Sequence, residues 1–259
     1  MKTFRIAAFG DLVSEQGVAL FERLAGGFCR QNKIDWVIAN GENASQKNGI
    51  EPETARRLHQ AGADVITTGN HVFRQRSIYP FLEECPYLLR PANYPAAAPG
   101  MGYGIYPTPA GRLLVINVLG VVYMESLASP FDTVDALLAK LEGKYDLAVM
   151  DVHAEATSEK IALARYFDGR LNAVFGTHTH VPTADMQILP KGTGYVTDLG
   201  MGGPVNSILG VKADTVIEKY RTKMPLHFTP ADGPCTLQGV IFTLGEGACQ
   251  QVERFCITE

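Results

Sequence analysis

Short apolar runs that stop abruptly, separated by stretches with helical spacing, constrain this chain more than any other feature. Phe4–Phe9 is largely apolar and closed by Gly10, the pattern of a buried strand. Val18, Leu20, Phe21, Leu24 and Phe28 then recur at helical spacing. Trp36–Ala39 reads as a second strand. Pro52–Ala61 reads as a helix with proline at its start, Asp64–Thr67 as a third strand and Ile78–Glu84 as another helix. Pro91, Pro95, Pro99, Pro107 and Pro109 then punctuate loops and short strands. The alternation resumes with strand Leu113–Val118, helix Phe131–Leu141, strand Leu147–Asp151, helix Glu155–Phe167 and strand Ala173–Phe175. After about Met186 the pattern is that of β-hairpins with one helix near Asp214–Arg221. It ends in two antiparallel strands, Cys235–Leu244 and Gln250–Cys256.

Helices between strands early, and strands next to strands late, predict an α/β protein. The expected form is a four-layer αββα sandwich, two mixed sheets inside and helices outside. The 259 residues are 46% hydrophobic, which allows a large core, and no linker or repeat interrupts them. A single domain over residues 1–259 is expected.

Charge and cysteine use exclude several classes. The net charge is −4 with both signs mixed along the chain, so neither a nucleic-acid groove nor a polybasic membrane patch is expected. The five cysteines include no C-x-x-C pair. That argues against a disulfide framework and a zinc–thiolate site, and for a reducing, cytoplasmic location. Phe4–Phe9 is too short for a signal peptide, and no run approaches transmembrane length.

Five apolar runs open into polar motifs, the position where open α/β sheets bind ligands. They are Gly10-Asp11, Asn40-Gly41-Glu42-Asn43, Gly69-Asn70-His71, Asp151-Val152-His153 and Gly176-Thr177-His178-Thr179-His180. Each alone reads as a turn, a cap or a hydrogen-bonded pair. Together they hold four of the six histidines. Carboxylate, amide oxygen and imidazole suit divalent iron, manganese or zinc.

This order of motifs resembles the calcineurin-like metallophosphoesterases, and within them the bacterial YmdB-like branch. Arg90-Pro91-Ala92-Asn93, the run from Asp151 to Lys160, Thr197-Asp198-Leu199-Gly200-Met201 and Ile208-Leu209-Gly210 extend the resemblance over most of the chain. It implies a centre of two divalent metal ions, iron or manganese, with zinc the alternative. Asp11, Glu42, Asn43 and His180 would hold one metal. Glu42 would bridge to the second, completed by Asn70, His153 and His178. His71 would stand beside the metals as the general acid. Branch members are associated with phosphodiester substrates, including 2′,3′-cyclic nucleotides.

Three positions depart from the pattern. Val13 stands where the wider superfamily has a histidine ligand, with Asn43 the expected replacement. The stretch Leu12-Val13-Ser14-Glu15-Gln16-Gly17 lacks the branch's usual turn and reads as a loop. Phe73-Arg74 replaces Trp-Asp after the Gly-Asn-His motif and reverses a charge.

The expected activity is hydrolysis of a small phosphodiester or nucleotide by a metal-activated hydroxide, with neither nucleic acid nor membrane as partner and a homo-oligomer expected. Asp185 and Asp198 are candidate acceptors behind the histidine ligands. Arg74 and Arg90 are candidate phosphate contacts. Two rivals stand beside this reading. A metallopeptidase is disfavoured because no His-Glu-x-x-His helix is present. The other rival is a regulatory nucleotide- or metal-binding protein with little turnover.

Overall fold

Side-chain parity along the strands sorts the core into layers. The computed structural model describes residues 3–45 and 47–259. In strand β1 (Phe4–Phe9), Ile6 and Ala8 face one way, and Ala7 and Phe9 the other. This two-residue period is what a strand buried on both faces requires. The same parity runs through β3 (Trp36–Asn40), β4 (Val65–Thr67), β7 (Gly111–Leu119), β8 (Leu147–His153) and β9 (Ala173–Thr177).

Two sheets result. The first, in spatial order, contains β2 (Asp11–Leu12), β12 (Met201–Pro204), β13 (Cys235–Gly245), β1, β3, β4 and β5 (Leu88–Leu89), with β14 (Ala248–Thr258) paired to β13. The second contains β10 (Gln187–Ile188), β11 (Gly194–Val196), β9, β8, β7 and β6 (Tyr103–Thr108). Strands β1, β3, β4 and β5 are parallel, as are β7, β8, β9 and β11, while β13 and the edge strand β6 run antiparallel.

Ile6, Ala8, Ile38 and Val65 of the first sheet pack between the sheets against Val115, Val149 and Phe175 of the second. The outer face of the first sheet is covered by α1 (Ser14–Gln31), α2 (Pro52–Gln60) and α3 (Ile78–Glu84), through Val18, Phe21, Leu58 and Ile78. The outer face of the second is covered by α4 (Pro130–Lys140) and α5 (Thr157–Tyr166), through Val134, Leu138 and Leu163. This is the expected αββα sandwich. Helix α6 (Ala213–Thr222) buries Val216 alone among its residues. Among the described residues, no helix is long and apolar enough to cross a membrane.

Three boundaries differ from the sequence reading. Helix α1 begins at Ser14 rather than Val18, so Leu12–Gly17 is not a loop. Its polar start and Gly17 imitate a loop in sequence. A Cβ on Gly17 would fall 2.3 Å from the Gly202 carbonyl oxygen, so the glycine serves close packing inside the helix. After Met186, β10 and β11 form a short hairpin. Strand β11 then pairs parallel with β9, and β12 crosses to the first sheet, parallel to β2. Helix α5 starts at Thr157, which leaves Glu155 in the loop after β8. The closing pair is antiparallel as expected, turned by Glu246 and Gly247 at φ 54° and 82°, the left-handed pair that suits a twisted hairpin.

Candidate metal centre

Strand parity also aims the functional residues. Along β8, Leu147 and Val149 face the inter-sheet core. Two and four residues further on, Asp151 and His153 keep that direction at the carboxyl end of the strand. Asn40, Thr67 and Thr177 do the same at the ends of β3, β4 and β9. The gap between the sheets therefore closes at this end with a buried polar layer. The Asp151 carboxylate accepts from Thr67 Oγ1 at 2.5 Å, Thr177 Oγ1 at 2.7 Å and Asn40 Nδ2 at 3.0 Å. Burial still pushes Asp151 up to about 6, against the opposing pull of His153 and these donors.

Above this layer the motif residues converge. His153 Nε2 lies 3.4 Å from Glu42 Oε1, 3.2 Å from Asn70 Oδ1 and 3.1 Å from His178 Nδ1. Ligand atoms of Glu42, His153 and His178 fall within 4.8 Å of one another. A second group adjoins it. His180 Nε2 is 3.7 Å from Asp11 Oδ1 and 3.2 Å from Asn43 Nδ2, and Asn43 Nδ2 is 2.9 Å from Glu42 Oε1. His71 stands beside both groups, with Nδ1 3.0 Å from Glu42 Oε1 and its backbone N–H donating to Glu42 Oε2 at 2.9 Å. Every residue named from the sequence as ligand or acid thus reaches one site.

The residues behind the histidines hold them in place. His153 Nδ1 meets Thr177 Oγ1 at 2.9 Å, which in turn donates to Asp151. This fixes the ring so that Nε2 faces Asn70 and His178. His178 Nε2 meets Glu155 Oε2 at 3.1 Å, and His180 Nδ1 meets the Leu209 carbonyl at 3.3 Å. His178 and His180 have φ of 93° and 62°, a left-handed backbone that costs about 1–3 kcal/mol per residue unless the surroundings enforce it. The enforcing group is the Lys160–Asp198 pair. Lys160 Nζ donates to the Thr177 carbonyl at 2.7 Å and to Asp198 Oδ2 at 2.8 Å, and Asp198 accepts from Thr179 N and Oγ1.

The charges call for cations. Asp11 Oδ1 is buried without a hydrogen-bond partner, and burial raises its pKa although His180 and His153 oppose the shift. Burial works against Glu42 too, yet His153 and His71 hold its carboxylate well below the usual range. Burial and the neighbouring His153 push His178 down to about 3, so its ring stays neutral and free to ligate at neutral pH. A Cβ on Gly69 would fall 2.2 Å from His153 Nε2, so the backbone is kept bare where the ligand atoms gather. Hard oxygens with imidazole nitrogens, an orphaned carboxylate oxygen and the neutral His178 ring fit a pair of divalent cations. The Asn43 amide directs Nδ2 at Glu42 and His180 and Oδ1 at His71, 3.1 Å from Nδ1, so ligation by its oxygen needs the amide turned over.

Some expectations of role fail. Asp185 accepts from Thr183 and Thr197, and Asp198 serves Lys160 and Thr179; neither meets a histidine ring. The acceptors are instead Thr177, Glu155 and the Leu209 carbonyl. Arg90 is buried and spends its guanidinium on the carbonyls of Pro91, Pro99 and Gly100. Phe73 packs edge-on against Tyr79 and Tyr94, and Arg74 is exposed; neither lines the cleft among the described residues. Val13 does line it. Its backbone bridges Asn43, and Ser14 N–H donates to the Asn43 carbonyl at 2.9 Å, so this segment positions the residue taken as the replacement ligand. Thr177, Glu155 and Lys160 were present in the motifs without a role, because spacing does not show which face they share.

The chain is 40% identical over 257 residues to a 2′,3′-cyclic-nucleotide 2′-phosphodiesterase of Bacillus subtilis (strain 168), covering 98% of this chain and 97% of the relative. A crystal structure of a phosphatase from Mycoplasma pneumoniae superposes with a TM-score of 0.94 at 30% identity, over 100% of this chain and 95% of that one. A protein of Thermus thermophilus superposes at 0.93 with 38% identity, over 99% and 100% of the two chains. The YmdB-like protein family matches residues 8–255, and with these relatives that match shows that the chain belongs to it.

Proposed function

We propose that this chain hydrolyses phosphodiesters, 2′,3′-cyclic nucleotides among them, at a two-cation centre. The observation that carries the reading is the place of one carboxylate. Glu42 Oε1 lies between His153 Nε2 at 3.4 Å and Asn43 Nδ2 at 2.9 Å, so a single side chain adjoins both ligand groups. In this reading Asp11, Glu42, Asn43 and His180 hold one cation, and Glu42, Asn70, His153 and His178 the other. The Bacillus relative's activity supports the substrate class.

Bound divalent cations supply Lewis-acid charge and lower the pKa of a coordinated water to about 7. The chain's own residues do the rest. Two carboxylates among otherwise neutral ligands leave the centre net positive, which draws an anionic diester. His71 Nδ1 is anchored on Glu42, which leaves Nε2 to give a proton to the leaving oxygen. The donor set, without thiolate, favours iron or manganese, with zinc the alternative.

The test is metal analysis with turnover of 2′,3′-cyclic AMP and bis(p-nitrophenyl) phosphate. Chelation should abolish turnover, and manganese or iron should restore it. Glu42→Gln should lose more than about 100-fold, beyond the loss typical of an outer-shell change. A cation-loaded protein that cleaves neither ester would refute the proposal.

A further inference from the structure

The cleft has two chemically different walls. It encloses about 340 Å³, within the range of small-molecule sites. One wall carries the ligand residues. The other is apolar and made by Leu209, Val211, Phe228 and Pro230. This rim is a built element. Val211 bridges Pro230, Lys212 N–H donates to the Thr229 carbonyl at 3.1 Å, and Ala231 N–H to the Gly210 carbonyl at 2.9 Å. It is tied to the metal side where the Leu209 carbonyl meets His180 Nδ1. Phe228 is 39% exposed, so part of its ring is open to a ligand. Lys219 Nζ stands 4.4 Å from the ring centroid and is not among the residues that line the cleft.

Resting on the proposed phosphodiesterase reading, we propose that Phe228 is the specificity-determining platform on which the base of a mononucleotide stacks while its phosphate meets the cations. A ligand that is anionic at one end and flat, aromatic and apolar at the other matches both walls. Base–aromatic stacking contributes roughly 1–3 kcal/mol per base, about 5- to 150-fold. The rim therefore separates nucleotides from phosphodiesters that lack a base.

The experiment compares metal-loaded parent, Phe228→Ala and Phe228→Trp. The substrates are 2′,3′-cyclic AMP and glycerol 1,2-cyclic phosphate, which has no base. Calorimetry with 3′-AMP and glycerol 2-phosphate is run alongside. In Phe228→Ala the ratio of kcat/KM for the nucleotide over the base-free diester should fall about tenfold, through KM, and Phe228→Trp should restore it. The affinity ratio of 3′-AMP over glycerol 2-phosphate should fall in parallel. An unchanged ratio in both measurements overturns the subsite. So does a concentration-dependent dimer, seen by sedimentation, that Phe228→Ala dissolves while leaving the ratios unchanged, since the wall is then a surface between copies. Failure of the functional reading looks different, because the parent itself then cleaves neither diester. The 3′-AMP affinity ratio still decides the subsite in that case.

Discussion

His178 Nδ1 lies 3.1 Å from His153 Nε2, with the His153 side chain fully buried. The two imidazole nitrogens are at hydrogen-bond distance, and burial with the neighbouring His153 pushes the His178 pKa down to about 3, so that ring is neutral at neutral pH. Cations that bind here bind the folded state alone, so they stabilise it by mass action, by about 3 kcal/mol at one hundred times the dissociation constant. Chelation is expected to lower Tm by several degrees, and manganese to restore it. Calorimetric scans of the same preparation check this. An unchanged Tm after verified metal removal would contradict it.

The path from His153 through Thr177 to Asp151 predicts a graded response. Thr177→Val removes the hydroxyl's hydrogen bonds with His153, Asp151 and Asn40 and should weaken cation affinity about 10- to 100-fold. Thr177→Ser keeps the hydroxyl and should recover most of it. Metal titration of the two variants decides the matter, and equal behaviour would show that the hydroxyl does not orient the ring.

Lys160 and Asp198 are both fully buried, 2.8 Å apart. Lys160→Met leaves Asp198 buried without its counter-charge and should cost about 3–5 kcal/mol. Adding Asp198→Asn should regain part of that loss. Urea unfolding of the single and double variants measures the coupling. Additive losses would mean that the pair does not act as a unit.

Two glycines should respond in opposite directions. A Cβ on Gly69 would meet the His153 ring, so Gly69→Ala should displace the ring and lower metal content. Gly27 lies in helix α1 with nothing within 4 Å of an added Cβ. Gly27→Ala should therefore raise stability, by about 0.5–1 kcal/mol. Metal analysis and urea midpoints read the two effects, and a stabilised, metal-replete Gly69→Ala would contradict the packing argument.

Asp185 carries the pH prediction. Burial opposes its charge, but hydrogen bonds from Thr183 and Thr197 outweigh it and lower its pKa. A depressed acid contributes stability that is full above its unfolded value, about 3.9, and lost as pH falls through the folded value. The parent should exceed Asp185→Asn by about 0.5–1 kcal/mol at neutral pH, a modest figure because the group is partly exposed. That gap should close below about pH 4. Urea midpoints from neutral to strongly acidic pH test it, and a gap that widens on acidification would reverse the sign.

Much of the molecule was legible from local pattern. The two-residue period of Phe4–Phe9, the helical spacing around Phe21 and the polar motifs beyond the apolar runs all name their structures, because each is set by neighbours in the chain. The clustered motif residues were legible because a strand end carries its last side chains outward whatever lies opposite. Local pattern failed where distant chain supplies the reason. Gly17 lies in a helix because Gly202 packs against it, and Asp198 serves Lys160 rather than a histidine.

The sequence by itself therefore determined the strands, the helices and the residue types gathered at the strand ends. Only the tertiary structure decided that β8 and β9 of one sheet face β3 and β4 of the other, which brings Asn40 and Thr67 onto Asp151 and Glu42 beside His153. It also decided that Phe228 lines the same cleft as Glu42, His178 and His180. The physical reason is that periodicity reports which way a side chain points, whereas what it meets depends on how two sheets pack through buried apolar surface.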